Sequence, residues 1–343
     1  MNRAEPLVDE TLLALASQLA GKAGLGKARA LSRLAGGKNN QVFRVETEAS
    51  RPLVLKRYFT DPRDPRDRLR AEWEFLQHAW SRGIRAIPEP LARDAAAHAG
   101  LYSFVEGRKL LPNELKPAHI DAAIDFVLAV NVPPRASLAP ASEACFTLAE
   151  HIATVERRVA RLATLDPDAP QLGEAQSFVS TRLLPAWNAV ESRLTIDACA
   201  AGLSMNEPIG ADDRCLSPSD FGFHNALVDE RGRVTFLDFE YAGCDDPAKL
   251  ASDFFCQPEI PVPLVLHATF ISRMAEGFKL DEKGQARCRM LLDAYRIKWT
   301  CIILNDFLPL GAARRAFADA GAWSARCAAQ LAKAEAHLAG LSP

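Results

Sequence analysis

Alternating apolar and polar positions predict a small β-sheet in the first hundred residues of the chain. Strand-like runs lie around 29–34, at 41–47 and at 52–59, and polar segments of hairpin length separate them. Connections this short favour antiparallel pairing of neighbouring runs. Two further strand-like runs, near 89–93 and at 100–107, follow a helical segment. The pattern therefore predicts a sheet with one long helix inserted after its third strand.

The inserted helical segment covers 61–83, with two prolines ahead of the helix and Gly83 at its end. A shorter amphipathic helix is predicted at 9–21. The long helix has one apolar side, formed by Leu69, Trp73, Leu76 and Trp80.

Helical periodicity prevails after Gly107. Helices are predicted at 117–131, at 147–165 and at roughly 171–200, where Pro185 favours a kink, and again from about 264 to the end.

The change of character near Gly107 predicts an α+β fold with two lobes. Residues 1–106 are expected to form a small, mainly antiparallel-sheet lobe, and residues 107–343 a large, mainly helical lobe. Because ligands favour clefts between lobes, we expect the functional site to lie there.

Composition and charge narrow the classes of partner. The 343 residues are 48% hydrophobic and 24% charged, which is typical of a globular protein, and the net charge is −2. So weak a charge excludes a field that would collect nucleic acid or anionic membrane, and no apolar run is long enough to cross a bilayer. The eight cysteines include no C-x-x-C pair, which favours buried thiols in a reducing compartment. We expect a cytoplasmic protein that acts on a small molecule.

The segment 216–247 contains the most informative pattern of polar residues. Two strand-like runs flank the turn 230–232, so they predict a hairpin. Asn225 precedes the first run and Asp238 ends the second, and hairpin pairing would bring the two side chains together. Their amide and carboxylate oxygens are the hard ligands that Mg²⁺ prefers. Asp220 lies five residues before Asn225, from where it can face an incoming hydroxyl.

These residues resemble the catalytic and metal-binding loops of the aminoglycoside phosphotransferase and choline kinase superfamily, which has a protein-kinase-like fold. The D-x-x-x-x-N motif corresponds to Asp220-Phe-Gly-Phe-His-Asn225, and the aspartate after a hydrophobic strand corresponds to Asp238. The G-x-x-D-P motif is present from Gly243 to Pro247. Upstream, residues 36–45 resemble the hairpin that covers the nucleotide.

The resemblance implies an ATP- and Mg²⁺-dependent transfer of the γ-phosphoryl group to a small-molecule hydroxyl, with residues 1–106 as the nucleotide-binding lobe. The acceptor would be a sugar, a sugar acid or an amino alcohol. The resemblance implies that Asp220 would take or orient the hydroxyl proton, and that Asn225 and Asp238 would hold Mg²⁺. Lys56 would hold the phosphates, and Glu72 would orient Lys56. The backbone at Gly36 and Gly37 would cover the phosphates, and the hinge at Phe104 to Glu106 would take the adenine edge.

Several assignments leave an alternative open. Arg57 could replace Lys56, although strand alternation places Lys56 with Val54 on the face opposite Leu53 and Leu55. Glu74 could replace Glu72, and only the family spacing favours Glu72. Glu240 could be structural or a second metal contact.

The chain departs from the family at Pro218, where a histidine that braces the catalytic loop is usual. This departure supports an alternative function, a nucleotide-binding pseudokinase that serves as a scaffold or regulator. A protein kinase proper is disfavoured because no activation loop follows Asp238. Basic residues at Arg289, Arg296 and Lys298 would favour a neutral or anionic acceptor if they face the cleft, and a solvated helix face is the other interpretation.

Overall fold

The computed structural model describes residues 10–34, 40–49, 51–62, 64–135, 137–309 and 320–341. These residues group into two compact units. Unit 1 contains the chain up to Ser142 together with Pro218–Gly243. Unit 2 contains Glu143–Ser217 and the chain from Cys244 onward. The lobe boundary between residues 106 and 107 stays a prediction.

Unit 1 is built on an antiparallel sheet of five strands in the order β1-β2-β3-β5-β4. Helix α1, Glu10–Lys22, packs on one face of this sheet through its apolar side. Leu53 and Leu55 of β3 are fully buried on that face. The strands are β1, Ala28–Arg33; β2, Gln41–Thr47; β3, Leu53–Arg57; β4, Pro90–Asp94; and β5, Ala99–Ser103.

The inserted helix α2, Arg68–Ser81, begins and ends where the sequence provides capping groups. Asp67 is its N-cap, and its carboxylate accepts a hydrogen bond from the Arg70 N–H at 3.0 Å. Gly83 has a φ of 80°, the left-handed conformation that closes a helix at low cost. The predicted helix is confirmed. The strand predicted at 100–107 is shorter than expected: β5 ends at Ser103.

The hairpin predicted within 216–247 is present in unit 1. Strands β7, Ala226–Val228, and β8, Val234–Phe236, pair in antiparallel register with Ala226 opposite Phe236. Arg108 exchanges two backbone hydrogen bonds with Val228, which joins the segment after β5 to this hairpin. Helix α3, Pro117–Val130, contributes its apolar side to the same core.

Unit 2 is mainly helical, with a short two-stranded sheet of β6, Cys215–Ser217, and β9, Gly243–Asp245. Helix α7, Pro247–Cys256, has Asp246 as its N-cap, and the Asp246 carboxylate accepts a hydrogen bond from the Ala248 N–H at 2.8 Å. The other helices are α4, Leu148–Arg161; α5, Leu172–Phe178; α6, Leu184–Ala200; α8, His267–Phe278; α9, Glu282–Met290; α10, Leu292–Ile303; and α11, Ala320–Leu338.

The helical stretch predicted at 171–200 is interrupted ahead of Pro185. A wide turn with π-helical hydrogen bonding, Val179–Leu183, separates α5 from α6. Proline lacks the N–H that would continue the regular ladder, and a π-turn is one of the recognised ways in which a helix accommodates this loss.

Two of the three basic residues considered as substrate contacts are buried within unit 2. The Lys298 ammonium donates to Asp253 at 2.6 Å and lies 4.6 Å from the ring centroid of Tyr295. The guanidinium of Arg296 donates to the His337 carbonyl at 3.0 Å. Neither forms a solvated helix face, and both are committed to contacts within the unit; Arg289 is exposed.

Seven of the eight cysteines are buried or half-buried and none of the eight forms a disulfide, in line with the predicted thiols. Within the described ranges, no helix combines the length and the apolar character needed to span a bilayer.

Two histidines, the buried His267 and the half-buried His337, predict acid sensitivity of unit 2. Burial lowers the pKa of both His267 and His337 to about 4. Between pH 6.5 and about 4, the unfolded chain takes up protons that the folded chain does not, so the free energy of unfolding falls as the pH falls through this window. We expect a loss of about 2 kcal/mol for each histidine between pH 7 and pH 5, measured by urea unfolding.

The variant His337→Gln isolates one of these contributions. His337 Nε2 pairs with the Cys256 carbonyl at 2.8 Å, and glutamine retains a donor there without a titrating group. We expect its stability to fall less than that of the wild type between pH 7 and pH 5. An identical pH dependence in both proteins would contradict the assignment.

Candidate active site

The side chain of Lys56 lies at the centre of a chain of ion pairs in unit 1. Its Nζ atom is 2.6 Å from Glu72 Oε2 and 2.5 Å from Asp238 Oδ1. Strand alternation places Lys56 opposite Val42 in β2, on the sheet face away from buried Leu55. The residue is only 7% exposed, so the ammonium is enclosed with its two carboxylate partners.

Glu72 is the carboxylate of α2 that reaches Lys56, which resolves the choice between Glu72 and Glu74. Glu74 instead accepts a hydrogen bond from Arg70 at 2.8 Å on the exposed side of the helix. The second support for Glu72 is the Tyr58 hydroxyl, which donates to Glu72 Oε2 at 2.7 Å.

A second tyrosine extends this buried polar chain. The hydroxyls of Tyr58 and Tyr102 are 2.7 Å apart. The ring of Tyr102 lies across Gly100, where a Cβ atom would come within 2.3 Å of the hydroxyl oxygen. Glycine at position 100 therefore makes room for Tyr102, the last side chain in this series of hydrogen bonds.

The environment of the ion pairs stabilises charge on Lys56. Although burial disfavours the ammonium, the carboxylates of Asp238 and Glu72 raise the pKa of Lys56 well above its ordinary value. Burial raises the pKa of Glu72, and the ammonium offsets part of that rise. Lys56 therefore carries a positive charge at neutral pH.

The β7–β8 hairpin brings Asn225 and Asp238 to one end. The Leu237 N–H donates to the Asn225 carbonyl at 2.8 Å, so Asp238 follows the residue that pairs with Asn225. Asp238 has a φ of 67°, a left-handed conformation that aspartate tolerates better than most residues and that is common at functional sites. Its side chain is 37% exposed, so its carboxylate is open to a ligand.

Asp220 lies on the loop that enters the hairpin, and both of its carboxylate oxygens accept hydrogen bonds. Asn225 Nδ2 donates to Asp220 Oδ2 at 3.3 Å and to the Asp220 carbonyl at 2.9 Å. His224 Nε2 is 3.2 Å from Asp220 Oδ1. The side chain of Asp220 is 37% exposed, which leaves access for an acceptor hydroxyl.

Aromatic packing fixes the positions of both aspartates. Phe221 follows Asp220 and Phe239 follows Asp238, and both rings are buried. The Phe239 ring stacks on Phe75 of α2 with centroids 4.8 Å apart, and the Phe221 ring lies 5.7 Å from Phe126 of α3. The core of unit 1 thus anchors the residue directly after each aspartate.

The donor set fits a magnesium ion. The amide nitrogen of Asn225 is committed to Asp220, so its amide oxygen is the atom left for a metal, beside the Asp238 carboxylate. Mg²⁺ is commonly held by one or two protein oxygens together with substrate phosphates and water. Among the described residues, no group of three or more histidine, cysteine, aspartate or glutamate side chains is arranged to hold a metal ion.

One residue of the site has no counterpart in the sequence prediction. Asn40 Nδ2 donates a hydrogen bond to Glu240, which is buried, and Asn40 Oδ1 accepts from the Phe59 N–H at 3.3 Å. Glu240 is therefore a structural carboxylate bonded to the end of the segment 36–40.

The remaining predicted residues are not brought to Lys56 by the described structure. Phe104 follows Ser103, which pairs with Leu53 three residues along β3 from Lys56. The Phe104 ring stacks under the Arg44 guanidinium at 4.6 Å. Glu106 is exposed on the segment after β5. The predicted phosphate contacts at Gly36 and Gly37 fall outside the described residues.

Comparison with solved structures identifies the fold. A choline/ethanolamine kinase family protein from Mesorhizobium loti has 19% identity and a TM-score of 0.57, with 96% of each chain covered. A choline kinase from Streptococcus pneumoniae has 15% identity and a TM-score of 0.57, covering 97% of this chain and 100% of that chain. A spectinomycin phosphotransferase has 15% identity and a TM-score of 0.58, covering 97% and 99%. The predicted α+β fold of the protein-kinase-like class is confirmed.

Sequence comparison assigns the family. No curated protein sequence matches the chain. A family model described as the phosphotransferase enzyme family matches residues 30–255, well over half of the chain, and this range includes Lys56, Glu72, Asp220 and Asp238. The resemblance found in the motifs is thereby confirmed, and the chain belongs to the phosphotransferase enzyme family.

Proposed function

We propose that the chain transfers the γ-phosphoryl group of ATP, with Mg²⁺, to a hydroxyl group of a small molecule. The observation that carries the proposal is the convergence of Lys56, Glu72 and Asp238 through ion pairs of 2.6 and 2.5 Å. Charge of this kind is what phosphoryl transfer requires, because the protein mainly positions and neutralises the phosphates. Relatives of the same fold act on small molecules, and one was solved with ADP and spectinomycin.

Some of these residues would bind the nucleotide and its metal ion, and one would bind the acceptor. Lys56, held by Glu72, would neutralise the nucleotide phosphates. Asn225 and Asp238 would hold Mg²⁺, which supplies charge neutralisation when bound. Asp220 would orient the acceptor hydroxyl and receive its proton.

The proposed transfer forms one bond to the γ-phosphorus and breaks another. The acceptor oxygen forms a bond to the γ-phosphorus, and the bond from that phosphorus to the β–γ bridging oxygen breaks. ADP leaves with the electron pair, and the hydroxyl proton passes to Asp220. The two hydrogen bonds to the Asp220 carboxylate hold it in a fixed orientation toward the acceptor.

The acceptor is proposed to be a sugar, a sugar acid or an amino alcohol. The burial of Arg296 and Lys298 removes two of the three observations that pointed to an anionic acceptor. Choline and ethanolamine therefore belong in the same test panel as sugars and sugar acids.

An acceptor screen tests the proposal. The purified chain is incubated with Mg-ATP and each member of the panel, and ADP release is followed with and without EDTA. We expect one acceptor class to raise ADP release well above the rate with water alone, and EDTA to abolish the increase. Binding of Mg-ATP without turnover on any acceptor would instead favour a nucleotide-binding pseudokinase.

A further inference from the structure

We infer that His224 is a positioning residue for Asp220, holding the carboxylate in the orientation that phosphoryl transfer needs. The inference rests on the proposed function and deepens it. His224 Nε2 lies 3.2 Å from Asp220 Oδ1. Because a carboxylate only accepts hydrogen bonds, Nε2 is the donor in this pair.

The loop geometry selects this contact. Phe223–Asn225 forms a single 3₁₀ turn, and the Phe223 side chain is fully buried in the aromatic core of unit 1. The burial of Phe221 and Phe223 turns the side chains of Asp220 and His224 away from that core and toward each other. The Lys109 ammonium donates to the His224 carbonyl at 3.3 Å and supports the turn from outside.

The two donors act on different oxygens of the same carboxylate. His224 bonds Oδ1, and Asn225 bonds Oδ2. One donor alone would allow the carboxylate to rotate about its Cβ–Cγ bond, whereas a donor on each oxygen fixes the plane of the group. The orientation of Asp220 therefore depends on both neighbours, and Asn225 cannot be removed without affecting the proposed metal site.

Stability alone does not explain a histidine at this position. The Nδ1 atom of His224 is buried and has no hydrogen-bond partner among the described residues. A buried, unpaired acceptor is destabilising, and a phenylalanine of similar shape would avoid that cost. A histidine kept for packing would satisfy both ring nitrogens, whereas here only the nitrogen facing Asp220 is satisfied.

Three substitutions separate positioning from structure. His224→Phe keeps the ring and removes the donor. His224→Gln places an amide N–H near the position of Nε2 and carries no titrating group. His78→Phe is the matched control, since His78 is a half-buried histidine of unit 1 whose Nε2 pairs with the Val130 carbonyl at 3.3 Å.

The readouts are ADP release from Mg-ATP with the acceptor that gives the highest rate, the KM for ATP and the melting temperature. We expect His224→Phe to lower kcat about 10- to 100-fold with an unchanged KM for ATP, the range typical of a lost orienting hydrogen bond. Its melting temperature should be equal to or above that of the wild type. His224→Gln should recover kcat to within about threefold, and His78→Phe should leave kcat unchanged.

The outcomes that overturn the inference differ from those that overturn the proposed function. A wild-type kcat in His224→Phe, or a folding defect in His224→Phe that His224→Gln shares, would assign the histidine a structural role. Failure of His224→Gln to restore kcat would also overturn the inference. Absence of ADP release from the wild type with every acceptor of the panel, water included, would overturn the proposed function on which the inference rests.

Discussion

Asp220→Asn should lower phosphoryl transfer by about a thousandfold while leaving nucleotide binding intact. Asparagine fills the same space but cannot accept the acceptor proton, and proton transfer by a positioned side chain contributes about 10²–10⁴-fold. The substitution leaves Lys56 in place with its two carboxylate partners, Glu72 and Asp238. The ADP-release rate gives kcat, and the rise in melting temperature with Mg-ATP reports binding.

Asp125→Asn is a suitable control for this experiment. Asp125 is an exposed carboxylate of α3 in the same unit, so its substitution should change neither kcat nor the thermal shift. An Asp220→Asn enzyme that retained more than about a tenth of wild-type kcat would exclude Asp220 as the proton acceptor.

Lys56→Met should reduce the free energy of unfolding by about 3–5 kcal/mol and abolish phosphoryl transfer. Glu72 is 4% exposed, so removal of the ammonium leaves a buried carboxylate without its cation, and breaking a buried pair in this way is strongly destabilising. Asp238 is more exposed and contributes less to the cost. Urea unfolding measures the change.

The double variant Lys56→Met/Glu72→Leu separates stability from activity. Replacement of both members of a buried ion pair by apolar side chains of similar size is often neutral, so most of the lost stability should return. Phosphoryl transfer should remain absent, because no cation is left for the phosphates.

Arg57→Met is the matched control, since Arg57 is the exposed neighbour of Lys56 on the same strand. The free energy of unfolding of Arg57→Met should be within about 0.5 kcal/mol of the wild-type value. A double variant as unstable as Lys56→Met would contradict this description of the pair.

Much of the fold was predictable because local patterns specify it. The alternation in β3 placed Lys56 opposite the face of Leu55, and the hairpin connection placed Asn225 and Asp238 at one end. Both predictions depend on the two-residue period of a strand, which a sequence displays directly. The end of the helix at Gly83 followed from capping chemistry, which is also local.

Contacts between distant residues were harder to predict. Asn40 bonds Glu240 across two hundred positions of sequence, and no periodicity connects the two. The pairing of His224 with Asp220 depends on a 3₁₀ turn whose form is set by the burial of neighbouring phenylalanines. A lysine is usually a surface residue, so the sequence gives no sign that Lys298 is buried. Only the packed structure shows its ammonium bonded to Asp253 in the interior.

The most direct test of the central claim is to follow the γ-phosphoryl group itself. Mg-ATP labelled at the γ-phosphorus is incubated with the chain and the acceptor that gives the highest ADP release, and the labelled product is isolated. We expect label in a phosphate ester of the acceptor hydroxyl in amounts equal to the ADP formed, and none with Asp220→Asn. Label recovered only as inorganic phosphate, at the same rate with and without acceptor, would contradict the central claim.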